Sequence, residues 1–413
     1  MENKECTSKK SSNWLMLFSL IFAGEMIFSL PFHVARFFRP TLLESFSLTN
    51  TQLGDTFAFY GITAMLCYFP GGVIADYFSA RRLLTFSLVS TAIGGIYFAQ
   101  FPQGLGLTIL FGYWGITSIL LFWAGMLKAT REWGGHQQQG RAFGLLDGGR
   151  GLVAALMSSV AVMLFAASYS AQNSESAMYV VIVFYSMMTL LAAVFTWFFI
   201  SEEAVKQQRD HPWVGMKQAM TSSKVWLQAI IVICAYSGFK GSDNYGLYAV
   251  QVLLMDEVEA AGFTSITAYL RPVGAIAAGF LADRFSASKI TLWSFAVLAV
   301  VYTLLSLSWA PSVLYNLAMF NLVVSYLAVF ALRGVYFALI EESKISLKVT
   351  GTAVGFISLV GYTPDVFFAS ISGRLLDLAP GAKGFEYFFM LMMGIATVGL
   401  VAAIFLNRMN KKK

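Results

Sequence analysis

Charge is scarce in this chain. Only 12% of its residues are Asp, Glu, Lys or Arg, about half of what a soluble domain carries, so most of its surface cannot face water. Cysteine is nearly absent, and the three present are scattered. Cys6 lies in a polar N-terminal stretch, whereas Cys67 and Cys234 lie inside apolar runs. That spacing argues against a disulfide framework and against a thiolate metal site. No phosphate-binding glycine loop, no His/Cys/Glu metal cluster and no nucleophile motif occurs. A membrane enzyme is therefore not expected, nor an ATP-driven pump made by this chain alone, and no cofactor or metal is expected. The net charge of +6 could suggest a nucleic-acid partner. The basic residues, however, fall in short clusters between apolar stretches, which is a pattern of membrane topology.

What the chain has is hydrophobic length. Its mean hydropathy is +0.67. A helix needs about 20 apolar residues to cross a bilayer, and twelve segments meet this. They run Trp14–Phe37, Gln52–Ile74, Leu83–Phe101, Gly106–Leu127, Ala142–Ser168, Ala177–Ile200, Val225–Leu254, Ala260–Ala282, Ile290–Trp309, Leu314–Ile340, Thr350–Leu376 and Phe385–Leu406. They are continuously apolar, which excludes the alternation of a β-barrel. The expected fold is an all-α membrane protein of twelve transmembrane helices. The run from Trp14 is read as the first span, uncleaved.

The polar stretch Ser201–Lys224 divides the chain into residues 1–200 and 225–413, each with six spans. Lys and Arg accumulate in cytoplasmic loops. Arg81, Arg82, Lys128, Arg131, Arg141, the 201–224 linker, Arg284, Lys289 and the Lys411–Lys413 tail fall on one side, leaving Arg36, Arg39, Arg374 and Lys383 on the other. Both termini and the linker are thus expected in the cytoplasm, and an even number of spans requires both ends on one side.

The halves repeat each other. Gly-Gly-Val-Ile-Ala-Asp-Tyr-Phe-Ser-Ala-Arg-Arg, from Gly71 to Arg82, parallels Gly-Phe-Leu-Ala-Asp-Arg-Phe-Ser-Ala-Ser-Lys, from Gly279 to Lys289. Asp76 aligns with Asp283 and Arg82 with Lys289. A second echo pairs Gly140–Gly144 with Gly351–Gly355 in the same order. Such duplication fits parallel six-helix halves, one of the transporter architectures.

The repeated loop resembles that of the major facilitator superfamily, and the likeness extends over essentially the whole chain. Gly72, Asp76 and Arg81 match its first copy and Gly279, Asp283 and Arg284 its second. Tyr77 stands where a basic residue is usual, and Ser79 and Ser286 where the second glycine is usual. The stretch Arg131 to Gly144 is similar to that of organophosphate:anion antiporters and nitrate/nitrite porter-like members, without a full nitrate signature. The resemblance implies two pseudo-symmetric six-helix bundles, with spans one, four, seven and ten lining a cavity and three, six, nine and twelve facing lipid. It makes the repeated loop a gating motif: Asp76 beside cationic residues would latch one state, and Asp76→Asn should reduce transport more than expression.

Ionisable residues within a membrane are costly and usually line a cavity or pair. Here they avoid the centres of spans three, six, nine and twelve. Counting along straight helices puts Glu25 and Arg271 near mid-depth, Asp147, Arg150 and Arg333 in the cytoplasmic half, and His33, Arg36, Lys240, Asp243 and Asp365 toward the outside. Arg271, Lys240, Arg333 and Arg150 are the candidate substrate-binding residues, because a guanidinium suits a carboxylate or phosphate. Structural pairing competes with that role: Asp147 with Arg150 at helical spacing, and Lys240 with Asp243. Glu25, Asp147 and Asp365 are the candidate proton-coupling groups, Glu25 foremost, since a desolvated carboxyl can cycle its proton. His33 reads as an interfacial residue. Tyr113, Trp114, Trp123, Tyr236 and Tyr245 read as packing or as cavity lining.

The sequence therefore points to a secondary transporter of a small polar, anionic organic solute, working by alternating access, with protons as a possible coupling ion. A multidrug or cation exporter of the same superfamily is the alternative, and a transporter-like membrane sensor a more distant one. The expected setting is a bacterial inner membrane, with lipid and a small solute as partners, no nucleic acid, and a monomeric state.

Overall fold

The computed structural model describes residues 2–134, 139–170, 173–202, 220–307, 311–343 and 347–411. Among them every regular element is helical. In hydrocarbon each backbone group must find its partner inside the protein, and a helix does this within one segment.

The first span is broken. Helix α1 (Glu2–Met26) gives way to a π-turn (Ser29–His33) and then α2 (Val34–Phe37), with a bend of 42° between the two arms. Pro31 sits in the break, where its missing N–H cannot continue the ladder. Then follow α3 (Arg39–Ser45), α4 (Asn50–Tyr77), α5 (Ala80–Phe98) and α6 (Leu105–Ile116). The last runs through a second wide stretch (Thr117–Trp123) into α7 (Ala124–Gly134). Helices α8 (Gln139–Ser168) and α9 (Ser174–Phe199) precede the polar linker.

Beyond the linker, α10 (Ser223–Gly241) turns through Ser242–Asn244 into α11 (Tyr245–Gln251). Next come α12 (Glu257–Ala268), α13 (Leu270–Phe285), α14 (Ala287–Leu305), α15 (Pro311–Val335), α16 (Ala338–Glu342), α17 (Leu347–Gly361), α18 (Pro364–Leu378) and α19 (Ala382–Lys411).

Nine helical stretches among the described residues are long and apolar enough to cross a membrane, and the bent first span makes a tenth. Helices α4 and α5 lie where the second and third spans are expected. They are 28 and 19 residues long, and Arg81 and Arg82 dilute the apolar character of the second of them. The order of helices is consistent with twelve spans.

Two compact units emerge. The first holds Met1–Leu48, Asp55–Gln207 and Glu257–Ala268; the second holds Thr49–Gly54, Gln208–Asp256 and Tyr269–Lys413. Helix α12 thus belongs to the first unit, where Tyr169 donates to Glu257 at 2.8 Å and Ser158 and Ser265 share a hydrogen bond of 2.9 Å. The first turn of α4 belongs to the second unit. There Gly54 lies against the Ala369 carbonyl and Gly373 against that of Asn50, approaches that a Cβ would block. Asp377 of α18 accepts from the Asn50 and Thr51 backbone N–H groups at 3.2 and 2.7 Å. The first unit packs around Leu20, Ala23, Met26, Phe122 and Ala192. In the second, Tyr245, Tyr302 and Phe389 form a buried aromatic group.

Candidate functional site

Two clusters of charged side chains, each with buried members, lie one in each unit. In the first unit the centre is Glu25, near the end of α1 and only 2% exposed. Its Oε2 accepts from the Nε of Arg150 on α8 at 3.1 Å, and its Oε1 lies 3.1 Å from the Nε2 of His33. With Glu25 ionised, its oxygens only accept, and the hydrogen of this bond sits on Nε2. Eight residues along a straight helix would separate Glu25 and His33 by about 12 Å; the π-turn and bend fold the imidazole back onto the carboxylate. His33 is 1% exposed, enclosed by the first unit. Its ring stands edge-on to Tyr185 of α9 and to Phe37, while the Arg150 guanidinium lies 5.6 Å from the Phe28 ring centre. Asp147 is exposed on α8, and Arg150 reaches past its own helix to Glu25.

In the second unit the centre is Asp365, in the first turn of α18. Lys240 of α10 approaches its Oδ1 to 2.9 Å, and the Tyr236 hydroxyl donates to both carboxylate oxygens, at 3.0 and 2.9 Å. Arg333 of α15 lies over Phe239 at 4.0 Å from the ring centre and 5.8 Å from that of Tyr236. Tyr362 packs edge-on to Tyr236, and its hydroxyl meets that of Tyr336 at 3.3 Å. The result is a patch of two cations and one carboxylate on an aromatic floor. A guanidinium stacked on a ring keeps its N–H edge available for a planar oxyanion. Besides the Lys240–Asp243 pairing that local spacing suggests, Lys240 reaches Asp365 on another helix. Arg271 is buried in the first turn of α13.

The repeated loops end α4 and α13. The Asp76 side chain lies outside the described residues, and Gly72 is half-buried. Arg81 and Arg82 both meet Glu202, Arg81 at 3.6 Å. Arg81 also lies 4.6 Å from the Trp197 ring centre. Gly279 is half-buried, Asp283 and Arg284 are exposed, and Arg284 leans on Phe285. Ser286 has φ of +106°, whereas Ser79 has −67°. The usual glycine would suit the first of these positions and is unnecessary at the second.

Two capping residues escaped the sequence reading. Lys128 donates to the carbonyls of Ala75 and Phe78 at 2.9 and 3.3 Å, closing the end of α4. Glu342 accepts from the Ala287 and Ser288 N–H groups at the start of α14. Each is the charge that complements its helix end, but their partners lie tens of residues away. Of the aromatics, Trp114 donates to the Thr91 carbonyl, Tyr113 to that of Ser90, and Tyr245 bonds Ser325.

Bent helices, duplicated loops and a buried charge cluster in each unit define a membrane transporter. The family model described as Major Facilitator Superfamily matches residues 15–363, and the chain belongs to that superfamily. Its family and fold are those of transporters, not of enzymes. It is 27% identical to the inner membrane protein YihN of Escherichia coli K12, over 98% of each chain. It is 23% identical to the probable nitrate/nitrite antiporter NarK1 of Thermus thermophilus, over 73% of this chain and 68% of the other. Among solved structures, the nucleoside transporter NupG has the same fold, with a TM-score of 0.72 at 14% identity over 97% of this chain and 99% of that one.

Proposed function

We propose that this protein is a secondary active transporter that moves a small, anionic organic solute across a bacterial inner membrane by alternating access, coupled to protons. The observation that carries the solute class is the second-unit cluster. Arg333 stacked on Phe239, and Lys240 paired with Asp365, both lie within 6 Å of the Tyr236 ring and bring two cations to one aromatic surface. Aromatic rings around them supply an apolar wall for the carbon skeleton, in the proportions usual for small-molecule sites. The likeness to a probable nitrate/nitrite antiporter supports an oxyanion. The name of the Escherichia coli relative YihN supports the inner membrane. In this reading residues 1–200 and 225–413 act as two halves joined by the 201–224 linker, with both termini in the cytoplasm.

The test is uptake into proteoliposomes of a panel of radiolabelled solutes: organic acids, sugar phosphates, nitrate, nucleosides and a lipophilic cation. Uptake of an anion, reduced about tenfold or more by Arg333→Ala with the protein still folded, supports the proposal. That factor corresponds to about 1.4 kcal/mol of lost binding. Transport of only the neutral solutes or the cation, indifferent to Arg333→Ala, would favour an exporter of cations.

A further inference from the structure

We propose that His33 is the proton-exchanging group of the first unit, and that its protonation switches the buried Glu25–Arg150–His33 cluster from neutral to net positive. This deepens the proton-coupled anion reading and rests on it.

The geometry distinguishes the imidazole from the carboxylate. Glu25 is bonded on one oxygen by Arg150 at 3.1 Å and on the other by His33 at 3.1 Å. A proton placed on Glu25 would weaken the charge-assisted bond to Arg150 and leave a guanidinium buried beside a neutral group, which is the costly way to break such a pair. A proton placed on His33 does the opposite. Neutral His33 already donates Nε2–H to Glu25, so the incoming proton goes to Nδ1. The existing hydrogen bond then becomes one between imidazolium and carboxylate, the stronger kind. Imidazole is also the side chain suited to exchanging a proton near neutral pH.

The surroundings bear on the same point. The charged groups near His33 along its own chain are Glu25, Arg36 and Arg39. Helix α8 contributes Arg150 to the cluster and carries the exposed Asp147 on the same stretch. From α9, Tyr185 is the ionisable residue on the buried face, its ring 5.8 Å from the imidazole. The buried faces of α5 and α12 carry no ionisable side chain. Two cations and one anion therefore make up the protonated cluster itself. That extra positive charge favours an anion in the same membrane region, which is the sign needed for a proton and an anion to travel together. The imidazole sits beside a π-turn in a span bent by 42°. Such turns recur at functional sites, and here the turn is what brings the two groups together.

The test is a pH titration of the full-length protein in lipid nanodiscs, labelled with 15N-histidine and followed by NMR. The chain has three histidines, His33, His136 and His211, so His136→Gln and His211→Gln assign the His33 signal by elimination without altering the cluster. The expected result is that His33 changes protonation within the range of about pH 5 to about pH 8. Glu25→Gln, which removes the facing charge, should displace that transition by about one pH unit or more. A His33 signal that keeps one protonation state across this range overturns the inference, as does a transition identical in Glu25→Gln. Should Glu25→Gln not fold, the wild-type titration decides alone. No solute is present, so failure here leaves anion transport standing; failure of the solute panel leaves the titration standing.

Discussion

Glu25 is bonded from two sides by groups that arrive from different directions. Removing one partner of a buried ion pair strands the other and costs about 3–5 kcal/mol, whereas replacing both with apolar groups can be nearly neutral. Glu25→Leu should therefore lower the melting temperature strongly, and Glu25→Leu with Arg150→Met should recover much of the loss. Melting curves of the three proteins in one detergent check this; equal damage from the single and double variants would show that the pair does not carry the effect. These residues were visible in the sequence as buried charges, but their pairings were not. Local spacing suggested Asp147 with Arg150 and Lys240 with Asp243, because residues three apart on a helix are neighbours. The structure pairs Arg150 with Glu25, 125 positions away, and Lys240 with Asp365. Counting rise along a straight helix places His33 near the surface. Pro31, two residues before it, was the one local sign that the helix was not straight.

Helix ends supply the next level of organisation. Asp377 binds the open N–H groups at the start of α4 and also accepts from the Asn50 side chain at 3.1 Å. Hydrogen bonds to a charged group contribute about 1.5–3 kcal/mol, and a carboxylate complements the positive end of the helix. Asp377→Ala should destabilise the second unit by roughly 1–3 kcal/mol, and Asp377→Asn by less, since Asn keeps an acceptor but loses the charge. Stability of the two variants in the same detergent tests the ranking, and an Asn variant no better than Ala would contradict it. Tight helix crossings behave differently. Gly115 lies against Thr63 and the Tyr60 carbonyl, and Gly71 against the Leu120 carbonyl, where any side chain would force backbone apart. Gly115→Val should sharply reduce the yield of folded protein; normal yield would mean that α4 and α6 can separate at little cost. Which glycines meet a neighbour is set by the packing and not by the sequence. Gly144 and Gly148 have open space before them, while Gly149 meets Ile21.

For the whole molecule, topology makes the most direct prediction. A green fluorescent protein fused after Lys413 should be fluorescent, and an alkaline phosphatase fused there inactive, because a cytoplasmic C-terminus follows from an even number of spans and the Lys and Arg bias. The reverse pattern would require an odd count or an inverted orientation. Hydropathy, the charge asymmetry of the loops and the duplicated Gly–Asp motif by themselves determined that the chain is a helical membrane protein of the major facilitator type. Each is a local or periodic property that any bilayer would impose on a spanning sequence. Tertiary structure alone decided which charges meet. A partner on another helix is chosen by packing, and a partner on the same helix is chosen by the shape of that helix. The bend at Ser29–His33 turned an imidazole expected near the surface into the third member of a buried cluster, and α18 brought Asp365 to Lys240 and Tyr236.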